Sequence, residues 1–272
     1  MGAVDPRTAL LTCASQPDGD IAAGALWMAA EDCEDVDVDA RLAEIDALGD
    51  EVRARGGGAV GSLSDVAAAE LIGAVLDERL GLHGGAGGDP QNHYLHTVMR
   101  RGEGIPIACA ALWIAAGRRA TLGVEGVGLP GHFVVRVGSL LVDPHSGGTP
   151  LDDEGARRVA ATGLGGRIPE SLPPAWTRRA TAREMLARMS RNLRQCHAAG
   201  ERWSLALQAA DRCVALDPLE PLDRRDRGLL RFRVGLALPA LRDLRTYLNA
   251  VPDAPDHADV SRVAARAMGM VN

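Results

Sequence analysis

Three segments hold the residues that could do chemistry. Asp89-Pro90-Gln91-Asn92 leads to Arg101-Gly102-Glu103-Gly104-Ile105-Pro106-Ile107; Gly128-Leu129-Pro130-Gly131-His132-Phe133 follows; Val142-Asp143-Pro144 then precedes Gly147-Gly148. Between the second and third, Gly138-Ser139 has the composition of a two-residue hairpin turn. Such a turn pairs Val137 with Leu140 and Val134 with Asp143. Side chains alternate along a strand, so His132, Val134 and Asp143 share one face, with His132 diagonal to Asp143 at about 7–8 Å between Cα atoms. A carboxylate there can orient the imidazole and raise its basicity, the general-base half of a nucleophilic site. The same two residues could equally form a satisfied polar pair at a strand end.

A nucleophile for this pair belongs at a helix N-terminus, where the dipole favours thiolate. Cys109 lies in the first turns of a helix expected from Ile105 and is the candidate catalytic thiol beside His132 and Asp143. A cysteine in an apolar helix also fits a small core residue, and the spacing leaves both readings open. Asn92, Pro106, Gly131 and His145 flank these three and are the candidate substrate-binding residues. His93 and His96 share a helix face, but no third ligand accompanies them, so no metal is expected. Gly84 to Gly88 lacks the lysine and hydroxyl of a phosphate loop, and no cofactor is expected.

The elements that must position these residues follow from periodicity. Residues 1–20, with Pro6 and Pro17, read as a ragged lead-in. Ile21 to Ala30 reads as an apolar helix. Leu42, Ile45, Leu48 and Val52 fall on one face of a helix over Val38–Arg55, ended by Gly56 to Gly58. Ser64 can cap the next helix, and His83 to Pro90 reads as a flexible loop. Asn92 to Arg101 reads as a short helix. The helix Ile105–Arg119 is apolar nearly all round and should be central. β-branched segments at Val124 to Val127, His132 to Val137 and Leu140 to Val142 read as strands. Residues 21–162 thus form one α/β domain, and the Gly- and Pro-rich stretch 163–180 reads as a linker.

The region 181–272 repeats. Ala206-Leu207 recurs as Ala240-Leu241 and Asp217-Pro218 is matched by Val251-Pro252, a period of 34 residues that marks tetratricopeptide helix pairs. One repeat spans about 185–218, a degenerate one 219–252, and a capping helix 256–269, although Pro239 sits where a helix should start.

At 46% hydrophobic the chain can bury a core, and a net charge of −6 with short basic clusters speaks against nucleic acid. No apolar run reaches the ~18 residues of a membrane span. The five cysteines show no paired metal spacing and fit reduced thiols in a cytoplasm.

The motifs Arg101-x-Gly, Pro106-Ile107, Gly128-Leu-Pro-Gly-His132-Phe and Asp143-Pro-x-x-Gly-Gly148 together resemble the SirB-type transglutaminase-like proteins, over roughly residues 20–255. The resemblance implies an α+β fold: a papain-like core of helices on an antiparallel sheet, then an all-α tetratricopeptide-like region. It also implies an ancestral Cys-His-Asp triad, and His132 and Asp143 match its His and Asp. Family members commonly carry Ser or Thr and then Leu after the Pro-Ile, where this chain has Ala108-Cys109. One residue along a helix is about 100° of rotation. Asp-Pro-Phe is Asp-Pro-His145 here. The expected function is therefore a non-catalytic or weakly active module whose repeats bind a protein or peptide. The alternative is a thiol acyltransferase or amide hydrolase.

Overall fold

A computed structural model describes residues 4–16, 18–57 and 60–271, and its contacts divide the chain into two units, Met1–Leu186 and Ala187–Asn272. Pro17 and Gly58, read above as breakers, lie outside the described residues.

The first unit opens with helices α1 (Pro6–Ala14), α2 (Ile21–Asp32), α3 (Val38–Arg55) and α4 (Asp65–Leu80). Nine residues of the stretch expected as a ragged lead-in, 1–20, form α1. Pro6 occupies its first turn, where a missing N–H costs nothing, and the Asp5 carboxylate accepts from Thr8 N at 2.8 Å. α3 has the expected bounds, capped by Asp37 and ended at Gly56. Ser64 caps α4 as its type suggests.

Next come strand β1 (His83–Gly84), helix α5 (Leu95–Arg101), strand β2 (Glu103–Gly104) and helix α6 (Pro106–Arg119). The segment expected as a plain loop contains β1, which pairs in parallel with β2. Two glycines and no β-branched residue hide this pair from periodicity. The helix expected from Asn92 starts later: Pro90–Asn92 is a 3-10 turn, with Asn92 and His93 turned to other partners. α6 is the core helix. Every residue from Ile107 to Gly117 is buried, as its all-round apolar character requires.

Strands β3 (Val124–Val127), β4 (Val134–Val137), β5 (Leu140–Asp143) and β6 (Thr149–Leu151) form an antiparallel sheet in that order. The turn at Gly138 (φ 59°) sets the expected register, Val137 opposite Leu140 and Val135 opposite Val142. Asp65 pins it by accepting from Ser139 N at 2.8 Å and Oγ at 2.7 Å. β6 is an edge strand carrying Pro150, which alternation does not reveal. Helices α7 (Asp153–Ala161) and α8 (Pro174–Thr177) follow. The stretch expected as a linker, 163–180, lies within the first unit. Ala180 N donates to Gly126 O at 2.8 Å, and Leu172 and Trp176 pack on Val127, Leu129 and Val134.

The unit boundary falls within helix α9 (Ala182–Ala199), and α10 (Trp203–Leu216), α11 (Pro221–Arg233), α12 (Ala237–Ala250) and α13 (His257–Gly269) complete the chain. The 34-residue period is exact in the backbone of α10 and α12. Their preceding residues Arg202 and Leu236 have φ/ψ of −82/68° and −85/66°, and their C-caps Asp217 and Val251 have −134/78° and −134/71°. Pro239 sits in the first turn of α12 and is tolerated there. The turn residues before the two helices, Glu201 (φ 55°) and Gly235 (φ 84°), are both left-handed. Gly235→Ala should therefore lower the unfolding free energy by about 1 kcal/mol in urea titrations. Gly269→Ala, at a helix end with open space around it, should change it by less than about 0.5 kcal/mol.

Candidate functional site

The site is built around the end of β5. The Asp143 side chain is almost fully buried, and a buried carboxylate must be hydrogen-bonded. Its Oδ1 accepts from His132 Nε2 at 2.9 Å and from His145 N at 3.0 Å, and its Oδ2 from Ser146 Oγ at 2.9 Å. Burial opposes ionisation of this carboxyl. The bonds from His132, Ser146 and the His145 backbone outweigh that effect and hold it below the usual range. With Nε2 donating to Asp143, Nδ1 is the His132 nitrogen that can accept a proton.

The residues before His132 set its entry. Gly131 has φ 66°, and a Cβ there would meet Gly163 N at 2.5 Å, so the Pro130-Gly131 turn can pack against the Gly163 backbone only with glycine. The His145 ring stands edge-on to His132 at 5.6 Å between centroids, and its Nε2 donates to Gly85 O at 3.3 Å.

Cys109 is placed differently. It is fully buried, and its thiol donates to backbone carbonyls, Gly104 O at 3.3 Å and His83 O at 3.6 Å. Burial pushes its pKa up to about 12, and the negative charge of Asp143 adds to the effect. The sulfur sits 3.0 Å from where a Gly104 Cβ would be, so β2 lies directly against it. Pro106 opens α6 in its first turn. The Asn92 carbonyl accepts from Ile105 N at 3.0 Å, which fixes the residue leading into that helix.

Sequence reasoning missed how the glycine loop is held. Three successive carbonyls are each gripped by a side chain: Gly85 O by His145 Nε2, Ala86 O by Asn92 Nδ2 at 3.1 Å, and Gly87 O by His93 Nε2 at 2.8 Å. The other polar atoms of two of these side chains, Asn92 Oδ1 and His93 Nδ1, are buried without a hydrogen-bond partner. Burial lowers the pKa of His93, so it grips the loop as a neutral ring. A Cβ on Gly85 would meet Asn92 Nδ2 at 2.5 Å, and one on Gly84 would meet the His145 ring at 2.6 Å. Ser146 was also missed; its signal is a hydroxyl three residues after an Asp at a turn. A cavity of about 400 Å³ borders the site, lined by Leu82, Trp113, Pro144 and Gly148 among others. Trp113 lies one helical turn beyond Cys109 on α6. Among the described residues no group of three or more His, Cys, Asp or Glu could hold a metal ion.

A family profile described as "Transglutaminase-like superfamily" matches residues 39–191. The chain belongs to this superfamily. A second profile, "Tetratricopeptide repeat", matches residues 193–268, the helical unit of this transglutaminase-like protein. A "UPF0162 protein" from Pseudomonas aeruginosa is 32% identical over 236 residues, covering 84% of each chain. One from Xylella fastidiosa is 41% identical over 169 residues, and the match spans 60% of this chain and 60% of that relative's length. One from Vibrio cholerae is 21% identical over 172 residues, 61% of this chain and 63% of the relative. No solved structure matches the chain.

Two outcomes test this geometry. Asp143→Asn should cost about 1–3 kcal/mol of stability at neutral pH, since it removes a charge that three donors solvate. Because the folded carboxyl titrates below its unfolded value of about 3.9, its contribution is complete above that pH and is lost as pH falls through the folded pKa. Urea titrations of both proteins should therefore converge in acid. Gly85→Ala, which drives a Cβ into Asn92, should loosen the loop. It should speed iodoacetamide labelling of native Cys109 at least about tenfold, while Cys213, buried in the other unit, stays unlabelled.

Proposed function

We propose that this is a SirB-type transglutaminase-like protein whose first unit keeps the architecture of a thiol acyltransferase without its working nucleophile, and whose repeats bind a protein or peptide. The observation that carries this reading is the state of Cys109. A catalytic thiol must reach the thiolate form near neutral pH. Burial and the Asp143 charge push the Cys109 thiol up to about 12, outweighing the backbone hydrogen bonds at Cys109 and Gly104 that favour the thiolate. The 34-residue helix pairs supply an interaction surface of the kind solenoids offer. A cytoplasmic setting belongs to the same proposal, supported by five cysteines that are all free thiols.

The second reading, acyl transfer or amide hydrolysis by Cys109, is favoured by one feature: His132 Nε2 is hydrogen-bonded to Asp143 Oδ1 at 2.9 Å, which leaves Nδ1 to accept a proton. In that reading Cys109 would attack the acyl carbonyl, His132 Nδ1 would take its proton and return it to the leaving group, and Asp143 would hold the ring.

Alkylation separates the two. Native protein is treated with iodoacetamide across a pH series, and Cys109 is followed by mass spectrometry. The binding-module reading expects no modification until the protein is denatured. Fast labelling near about pH 6 that disappears in His132→Ala would sink it and establish a thiolate–imidazole pair.

A further inference from the structure

We propose that the end of the repeat unit formed by the C-termini of α11 and α13 is a docking strip for an acidic peptide segment bearing apolar side chains. The inference rests on the reading of the repeats as a peptide-binding unit and names the partner's chemistry.

Charge is divided unevenly along the chain. Residues 187–272 carry fourteen arginines against ten carboxylates, whereas residues 1–186 carry sixteen against twenty-six, and the chain has no lysine. Inside the repeat unit many arginines are committed. Asp223 is fully buried and takes Arg191 and Arg194, each at 2.7 Å; Asp243 takes Arg227 at 2.7 Å and Arg231 at 2.8 Å. These pairs hold helices together and leave no charge to offer a partner.

A second set is committed differently. Arg233 lies over the Trp203 ring at 4.3 Å, Arg266 over the Phe232 ring at 5.3 Å, and Arg245 Nη2 approaches Met268 Sδ at 3.4 Å. Phe232 and Arg233 are neighbours in sequence, and Arg266 and Met268 are two residues apart. These four residues lie in the last turns of α11 and α13, so the Arg266–Phe232 contact joins those two helix ends and the other two contacts extend from them to Trp203 of α10 and Arg245 of α12. All three arginines are exposed, and none has a carboxylate within ion-pairing distance among the described residues. A guanidinium stacked on a ring keeps its edge N–H groups outward, pre-oriented for a bidentate carboxylate. Exposed apolar side chains follow the same helix ends in the chain: Leu236 and Leu238 after α11, and Met270, 63% exposed, after α13. Carboxylates meeting the arginines, with apolar side chains seated between them, complement both properties. Arginines in a last helical turn also offset the helix dipole, but that role does not call for bordering apolar exposure.

The test uses the full chain and three fluorescein-labelled decapeptides: alternating glutamate and leucine, alternating glutamate and serine, and alternating lysine and leucine. Fluorescence anisotropy should show the glutamate–leucine peptide binding most tightly and weakening as salt rises. The variant R233E/R266E should weaken it at least about tenfold, the loss of two charge-assisted contacts. R262E, whose arginine is already paired with Asp259 on α13, should leave binding unchanged, and circular dichroism checks that each variant is folded. Equal binding to the folded double variant would overturn the strip while leaving the repeats as the binding unit. Preference for the lysine peptide would overturn the assigned partner chemistry, and no binding of any peptide would count against the repeat reading as well. A wild-type dimer in sedimentation that R233E/R266E dissolves would assign the strip to a second copy of this chain instead.

Discussion

The buried carboxylate of Asp143 is the interaction on which the first unit depends. A charge removed from water must be solvated by the protein or be neutralised. Here three donors do this, from the imidazole of His132, the backbone of His145 and the hydroxyl of Ser146. Meeting those bonds brings the segment before β4 to the end of β5 and bends the chain into the Pro144–Ser146 turn. The same charge has a second effect. It orients and supports an imidazole, which favours base chemistry, and it raises the pKa of Cys109, which disfavours a thiolate. One carboxylate thus fixes the His132 ring through a hydrogen bond and at the same time disfavours the Cys109 thiolate.

Around this charge the site is closed by backbone. Gly84, Gly85, Gly104 and Gly131 each stand where a Cβ would strike a side chain or main chain within 3.0 Å. Their absence of side chains lets β1 and β2 lie against the Cys109 sulfur and lets Asn92, His93 and His145 reach the loop carbonyls. The arrangement seals the thiol with hydrogen bonds to the Gly104 and His83 carbonyls, and its glycines contribute no side-chain contacts of their own. Segments held this way open more readily than the packed helix beneath them.

The helical unit is organised on a different principle. Its backbone repeats to within a few degrees at equivalent caps, and the apolar pair Ala206-Leu207 recurs as Ala240-Leu241, while other positions do not repeat: Glu201 stands where the next unit has Gly235, and the interior ion pairs differ from one helix pair to the next. Local geometry is enforced by the need to stack successive pairs. The charges then separate into a buried set that joins helices and an exposed set on aromatic rings.

Much of this was legible in the residues because the signals were local. The bounds of α3, the all-round burial of α6, the hairpin register at Gly138-Ser139 and the 34-residue period each rest on spacing within a few turns or one turn type, and so does the meeting of His132 with Asp143. α1 and the packing of 163–180 were obscured because prolines that read as breakers occupy first-turn or turn positions, and β1, β2 and β6 because they are too short or glycine-rich to alternate. The environment of Cys109 could not be read at all. Its helix was plain, but its ionisation depends on its burial, with the backbone of residues 83 and 104 against the sulfur, and on a charge at residue 143. Desolvation and electrostatic fields sum over atoms that only folding brings together, so the sequence determined the helix that carries this thiol and the tertiary structure decided its protonation.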